Sequence, residues 1–179
     1  VPTAIAVVAA LLPWTLVPGY ASAGPGPKIP AGSATLRVMS IDGAQGRASA
    51  KDIVQATRLY SVDVVVITDL TSEQTHDLTV AGLASLAPAR WVDVTPGGKN
   101  GTGLWSRLEI TDPTPITGLS RSGADAVIKA GSTDIGISVV HLAGHPLKPG
   151  SSWRADLAEL GSRTAPAPEG FIVGDLNAS

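Results

Sequence analysis

The last ten residues of the chain place a carboxylic acid and an amide two residues apart, a pattern suited to binding water or a cation. They read Gly-Phe-Ile-Val-Gly-Asp-Leu-Asn-Ala-Ser and span residues 170–179. The apolar run 171–173 predicts a short buried strand. Side chains two residues apart on an extended chain lie on the same side, so Asp175 and Asn177 would point the same way at the strand end. Such a pair could orient a water molecule, bind a hard cation, or do both.

Strand and helix patterns alternate in the first half of the chain. They predict a strand at 34–41, a helix at 49–60, a strand at 63–67 and a helix at 71–88. Capping residues at Ser49 and Thr71 mark the two helix starts. The first strand ends at Asp42, and Asp69 closely follows the second, which is a continuous β-branched run typical of a strand buried on both faces. This strand–helix alternation predicts a layered α/β domain.

The second half is richer in strands. The predicted elements are strands at 90–94 and 103–110, a hairpin with arms 126–130 and 133–142, a helix at 151–163 and the closing strand. The hairpin would turn at Gly131 and Ser132. Pro113 and Pro115 are expected to break the chain, because proline lacks the N–H that a strand ladder uses. The residues up to Asp125 are therefore expected to be irregular.

Composition narrows the classes of function. With 179 residues, of which 44% are hydrophobic and 4% aromatic, the chain has room for one aliphatic core and a short appendage. The net charge of −2 provides no overall attraction for nucleic acid, which argues mildly against a tight DNA binder. The absence of cysteine excludes disulfides, zinc–thiolate sites and thiol nucleophiles.

The N-terminal segment carries no charged residue before Lys28. Residues 4–23 have the length of a membrane span, with Trp14 and Tyr20 suited to the interface. We interpret 1–23 as a transmembrane helix; the alternatives are a signal peptide cleaved after Ala23 and a buried core helix. Residues 24–33 are a Pro/Gly linker, and 34–179 form the domain. We expect a cell-membrane protein whose domain is extracytoplasmic.

The closing Gly-Asp-Leu-Asn-Ala-Ser resembles the Gly-Asp-Phe-Asn-Ala signature of the endonuclease/exonuclease/phosphatase superfamily. Further blocks similar to that family occur in the family's order, so that the resemblance covers essentially 34–179. They are the strand ending at Asp42, the strand 63–67 followed by Asp69, the segment 103–107, the strand 139–142 and the helix with Trp153 and Leu157. The resemblance implies an α/β sandwich of two facing mixed β-sheets flanked by helices.

The same resemblance implies metal-dependent hydrolysis of a phosphodiester or phosphomonoester, with Mg²⁺ or Mn²⁺ as cofactor. It assigns roles to seven residues: Asp69 and Asp42 as metal ligands, Asp175 with Asn177 to orient or activate water, His141 at the phosphate, and Ser106 with Arg107 at the substrate. Nucleic acid, a phospholipid head group and an inositol phosphate all stay open as substrates. No protein partner can be inferred.

The chain departs from the family pattern at three points. Asp42 stands where the family has Asn, and Asp69 stands where it has Glu, so that the carboxylate of Asp69 ends one methylene shorter. These replacements motivate an alternative, a catalytically degenerate envelope binding or scaffold module on the same fold. The family's final Ser-Asp-His block is not found up to Ser179, so we treat the domain as incomplete at its C-terminus and expect residues 1–179 alone to be inactive. Hydrolysis by that chain would refute this expectation.

Each candidate also has a structural interpretation. These are turn capping for Asp175 and Asn177, a turn at Asp42, helix entry at Asp69, a satisfied core histidine at His141, and packing or surface roles for Ser106 and Arg107. Lys99 and Asn100 lie in a glycine-rich loop that could meet a phosphate. His76 is expected to face solvent on a helix.

Overall fold

The computed structural model describes residues 35–144 and 151–177. The predicted membrane segment 1–23 and the linker 24–33 lie outside the described residues. In the part of the chain that is described, no helix is long and apolar enough to cross a membrane.

Strands and helices alternate first and strands dominate later, as the sequence predicts. The strands are β1 (Val38–Asp42), β2 (Val64–Leu70), β3 (Ala89–Asp93), β4 (Gly101–Ser106), β5 (Ile110–Pro115), β6 (Gly123–Ala130), β7 (Thr133–His141) and β8 (Gly170–Asp175). The helices are α1 (Ala50–Leu59), α2 (Ser72–Ala81), α3 (Leu83–Leu86) and α4 (Ser151–Ser162).

The strands form two four-stranded sheets, with strand orders β1-β2-β4-β3 and β5-β6-β7-β8. Both sheets are mixed, because β1 runs parallel to β2, and β7 runs parallel to β8, while the other pairs are antiparallel. The sheets face each other across an aliphatic core. Its members include Val64, Val66, Leu104, Ile128, Ile137 and Val139. The predicted α/β sandwich of two facing mixed sheets flanked by helices is confirmed.

Strand β2 is the centre of this packing. Val64 and Val66 face the second sheet, whereas Val65 and Ile67 face the helices α1–α3 on the outside. All four side chains are completely buried, as expected for a continuous β-branched run. Burial of each such side chain contributes about 1.5–3 kcal/mol to the stability of the folded state. Strand β2 is therefore a firmly packed support for Asp69 near its end.

The predicted helix starts are confirmed. The hydroxyl of Ser49 accepts a hydrogen bond from the Asp52 N–H at 3.3 Å, and that of Thr71 accepts one from the Gln74 N–H at 3.1 Å. The single helix predicted at 71–88 is instead two. It is interrupted at Gly82, which has the left-handed φ of +99° that commonly ends helices.

Two expectations for the middle of the chain are wrong. The strand predicted at 103–110 ends at Ser106, and the chain then crosses to the second sheet, where β5 begins at Ile110. Pro113 and Pro115 do not break this strand, since β5 is an edge strand and its pairing with β6 is already irregular between Thr111 and Thr114. Proline is tolerated at such edges because no neighbour needs its N–H.

Candidate active site

Four strands deliver polar side chains to one edge of the sandwich. Asp42 ends β1, Asp69 lies near the end of β2, His141 ends β7 and Asp175 ends β8. Within each sheet the two strands concerned are parallel neighbours, so their carboxyl ends lie side by side. Strand β8 also contacts β1 and β2 across the sandwich. The carboxyl ends of strands are the usual place for ligand sites in α/β proteins.

Arg121 joins Asp69 to His141 at the middle of this edge. Its Nη1 donates to Asp69 Oδ1 at 3.2 Å and lies 2.5 Å from His141 Nε2, which is 3.6 Å from the same carboxylate oxygen. A guanidinium only donates hydrogen bonds, so Nε2 must accept and the imidazole proton belongs on Nδ1. That Nδ1 is buried and has no hydrogen-bond partner among the described residues.

The environment favours a neutral imidazole. Burial lowers the pKa of His141, and the Arg121 guanidinium lowers it further, against the weaker opposing effect of the nearby carboxylates. Burial likewise raises the pKa of Asp69 in spite of His141 and Arg121, and the carboxylates of Asp42 and Asp175 add to the increase. The site therefore concentrates more negative charge than Arg121 alone balances.

Two of the site residues adopt a backbone conformation that is uncommon outside glycine. Asp69 has a φ of +46° and Asn177 a φ of +47°; aspartate and asparagine tolerate this region better than other non-glycine residues. At Asp69 the pairing of β2 with β4 shifts register between Ile67 and Leu70. Such an irregularity re-aims a side chain, and here it accompanies the turn of Asp69 toward Arg121 and His141.

The Asp-Leu-Asn motif is folded back on itself and bonded to the residue that follows β7. Asp175 Oδ1 accepts from the Asn177 N–H at 2.8 Å, and Asn177 Nδ2 donates to the Leu142 carbonyl at 2.9 Å. Trp153 of α4 donates through Nε1 to the Leu176 carbonyl at 2.9 Å. The turn-capping interpretation of Asp175 and Asn177 thus describes their local geometry, while the position of the turn puts Asp175 beside the cluster.

Gly174, the first residue of the Gly-Asp-Leu-Asn motif, occupies a position that requires glycine. Its φ is +137°, and a Cβ placed on it would lie 1.9 Å from the Val140 carbonyl oxygen. Only a residue without a side chain lets β8 approach β7 this closely. The glycine therefore secures the parallel pairing that brings Asp175 next to His141.

The acidic side chains at this edge carry the oxygen ligands that hard cations such as Mg²⁺ prefer. Asp42 and Asp69 offer carboxylate oxygens, although Asp42 Oδ1 also accepts from the Ala44 N–H at 2.7 Å in a local turn. Among the described residues no three His, Asp or Glu side chains are grouped as a ready-made metal site. Mg²⁺ is commonly held by one or two carboxylates together with waters and substrate phosphate, and these two residues fit a site of that kind.

Ser106 and Arg107 are not brought to this cluster. Ser106 pairs with Val64 at the start of β2, whereas Gly101, at the other end of β4, pairs with Leu70. Ser106 is buried and its Oγ accepts from the Leu108 N–H at 2.9 Å. The Arg107 side chain forms an ion pair with the buried Asp63. Both residues therefore lie at the opposite end of the sheet.

Arg121 is the residue that sequence reasoning missed. It lies in the loop 116–122 before β6, within the stretch expected to be irregular. The available signal was a basic residue between two serines directly ahead of a strand. An open cleft of about 390 Å³ adjoins Arg121. Its lining includes Lys99, Asn100, Ser120 and Ser122, so the glycine-rich loop does face a cavity beside the cluster.

Comparisons with known proteins agree with this fold. Residues 34–179 match the sequence model of the Endonuclease/Exonuclease/phosphatase family. Similar solved structures include humanized D. rerio TDP2, with 15% identity and a TM-score of 0.67, covering 79% of this chain and 66% of that one. D. rerio TDP2 complexed with single strand DNA product has 15% identity and a TM-score of 0.62, covering 79% and 60%.

Sphingomyelinase C from Streptomyces griseocarneus is also similar, with 18% identity and a TM-score of 0.59, covering 79% of this chain and 64% of that one. The chain thus spans about two thirds or less of the length of these structures. At such identities the likeness concerns the fold. No curated protein matches the sequence significantly.

Proposed function

Because the chain belongs to the endonuclease/exonuclease/phosphatase family, we propose that it hydrolyses a phosphate ester with the help of a divalent metal ion. The observation that supports this most is the meeting of four strand ends, which places the carboxylates of Asp42 and Asp175 near Asp69 and His141, the two residues that Arg121 contacts. Phosphoryl chemistry needs cationic and hydrogen-bonding groups at the phosphate oxygens, and an aligned water. This edge offers residues for each task.

The chain's own residues would divide the work as follows. The guanidinium of Arg121 is a donor that lines the cleft and can neutralise a non-bridging phosphate oxygen. If it moves from His141 to the substrate, His141 Nε2 is released. The imidazole can then take up a proton at Nε2 from water and donate it to the leaving oxygen, or use it in a hydrogen bond to phosphate. Asp175 would orient or activate the attacking water, and Asn177 would hold the Asp175 turn against β7.

Asp42 and Asp69 would hold Mg²⁺ or Mn²⁺. A bound cation of this type supplies charge neutralisation at phosphate oxygens and a more acidic water. The raised pKa of Asp69 supports the assignment, since burial and the carboxylates of Asp42 and Asp175 disfavour an unbalanced negative charge there. A cation would relieve that repulsion.

The cleft beside Arg121 would receive the substrate. Lys99, Asn100 and Arg121 all line this cleft and can bind an anionic ester. Similar structures include one described with a single strand DNA product and one sphingomyelinase C. A nucleic acid, a phospholipid head group and an inositol phosphate are therefore the substrate classes to test.

The test is hydrolysis by the complete protein after removal of metal and titration with Mg²⁺. Bis(p-nitrophenyl) phosphate and p-nitrophenyl phosphate serve first, followed by one substrate of each natural class. His141→Gln is expected to lower kcat/KM at least about a hundredfold. The matched control is His76→Gln, since His76 is exposed on α2 and should behave like the wild type. Absence of Mg²⁺-dependent hydrolysis of all these esters contradicts the proposal.

Two observations favour the alternative of a catalytically degenerate binding or scaffold module. Arg121 already engages the carboxylate of Asp69, and the described residues include no three-ligand acidic cluster. Calorimetric titration of the complete protein separates the two functions. Binding of Mg²⁺ or Mn²⁺ supports the hydrolase, and absence of binding supports the scaffold.

We also propose that the domain is attached to the outer face of a cell membrane through residues 4–23. The uncharged segment and its interfacial aromatics support this. In membranes washed with alkaline carbonate, the complete protein should stay in the pellet, and deletion of residues 4–23 should release it. Recovery of the undeleted protein in the supernatant contradicts anchoring.

A further inference from the structure

Helix α4 carries a buried carboxylate that the proposed chemistry does not use. Asp156 is completely buried, and both of its carboxylate oxygens accept hydrogen bonds. Oδ1 accepts from the N–H and the hydroxyl of Ser120, at 2.8 and 2.9 Å, and Oδ2 accepts from the Ala143 N–H at 2.8 Å. A buried carboxylate is costly unless it is fully bonded, so these three contacts hold Ser120 and Ala143 strictly in place.

The two anchored segments are those that carry Arg121 and His141. Ser120 directly precedes Arg121, and Ala143 follows His141 by two residues. Their side chains meet with Nη1 and Nε2 2.5 Å apart, although they come from different segments of the chain. One carboxylate is therefore bonded to both of the segments whose side chains form the centre of the site.

The rest of α4 reinforces this arrangement. Trp153, three residues before Asp156 and thus on the same helix face, holds the Leu176 carbonyl of the Asp-Leu-Asn turn. The apolar side chains of Trp153 and Leu160 pack with Ile116, Val140 and Leu142. The helix thus contacts the segments of Arg121, His141 and Asp175 together.

We propose that Asp156 is a positioning residue that holds Arg121 against His141. Its effect on catalysis rests on the proposed hydrolase function, whereas the contact between the two side chains can be tested without turnover. A displacement of about 1 Å between reacting groups can lower a rate about a hundredfold, so loss of this anchor should act mainly on kcat.

The decisive variant is Asp156→Asn, because its amide nitrogen cannot accept the hydrogen bond from Ala143. The matched control is Asp125→Asn. Asp125 is also a bonded carboxylate near α4, since it accepts hydrogen bonds from Arg163 and from Ser138 of β7, but it contacts neither Ser120 nor Ala143. Ser120→Ala is the milder variant, since it removes only the hydroxyl contact from an exposed position. All are made in the complete protein.

Two readouts apply: the imidazole ¹⁵N resonances of His141, one of three histidines in the chain, and the separate values of kcat and KM. Asp156→Asn should shift the His141 resonances and lower kcat about tenfold or more, with KM changed less than about threefold. Ser120→Ala should shift the same resonances less. Asp125→Asn should leave them in place and keep both constants within about twofold.

The outcomes separate the two proposals. Unshifted His141 resonances in a folded Asp156→Asn variant overturn the positioning role; if that variant does not fold, unshifted resonances in Ser120→Ala do so. Shifts of equal size in Asp125→Asn also overturn it, because they indicate a general loosening. If the wild type hydrolyses no phosphate ester, the hydrolase proposal fails and the resonances alone decide the role of Asp156.

Discussion

Two aspartates at opposite ends of β2 are held in opposite ways. Asp63, just before the strand, is buried, accepts the Arg37 N–H at 2.6 Å and pairs with Arg107. Asp69, near the far end, has a side chain 18% exposed, shares Arg121 with His141 and lies close to further carboxylates. The Asp63 carboxylate is thus bonded to groups that hold the fold together. The Asp69 carboxylate instead lies near Arg121 and two further carboxylates, those of Asp42 and Asp175.

This difference shows how one residue type acquires two functions on one strand. At the start of β2 the carboxylate of Asp63 accepts from the Arg37 N–H, just before β1, and pairs with the Arg107 guanidinium, just after β4. Its charge is therefore balanced by groups next to neighbouring strands of the same sheet. At the other end the carboxylate of Asp69 is partly buried, close to carboxylates that parallel strands of both sheets bring near it. Burial first, and these like charges second, raise the pKa of Asp69 and disfavour its ionised form in the folded state. A group that weakens the fold in this way is a candidate for ligand binding.

The largest expected effect is on activity. Asp69→Asn should lower kcat/KM of the complete protein about a thousandfold, which corresponds to about 4 kcal/mol of transition-state stabilisation. It should not lower the free energy of unfolding of the metal-free protein, because the raised pKa of Asp69 means that its charge is disfavoured in the folded state. Kinetics and urea unfolding check both statements. Asp134→Asn, on the exposed hairpin, is the control.

Asp63→Ala should show the reverse pattern. Loss of the acceptor for the Arg37 N–H and of the partner of Arg107 should reduce the free energy of unfolding by about 2–3 kcal/mol, while the folded fraction keeps its activity. Urea unfolding measures the loss, with Asp77→Ala on the exposed face of α2 as a control expected within about 0.5 kcal/mol. A stable Asp63→Ala protein would remove the contrast between the two ends.

Mg²⁺ should stabilise the folded protein only through the site at the Asp69 end of β2. At a concentration ten times its Kd, the ion should raise the free energy of unfolding of the complete protein by about 1.4 kcal/mol. The increase should persist in Asp63→Ala and disappear in Asp69→Asn. Thermal unfolding with and without a chelator provides the measurement, and an equal increase in both variants would place the ion elsewhere.

The smallest effect on activity is expected at Arg107. Arg107→Ala leaves the buried Asp63 carboxylate without its ion-pair partner, so it should reduce the free energy of unfolding by about 1–3 kcal/mol, but KM should stay within about twofold of the wild-type value. Unfolding curves and steady-state kinetics test this. A KM about ten times higher would return Arg107 to the substrate site suggested by the sequence motif.

Much of the fold could be predicted because its signals are local. The caps at Ser49 and Thr71, the β-branched run of β2 and the turn at Gly131 each act through neighbours in sequence. The break at Gly82 and the strand β5 were missed, because they depend on a φ value and on an edge position that a residue pattern does not reveal.

For the site, motif and strand pattern were enough to predict which strands end in polar side chains, namely Asp42, Asp69, His141 and Asp175. Which of the candidates meet depends on how the strands pair and how the sheets pack. Parallel pairing within each sheet and the facing of the two sheets bring these four ends together, place Ser106 and Arg107 at the other end, and add Arg121 and Asp156 from distant segments. The physical reason is that side-chain proximity across sheets is set by long-range packing, which no local pattern encodes.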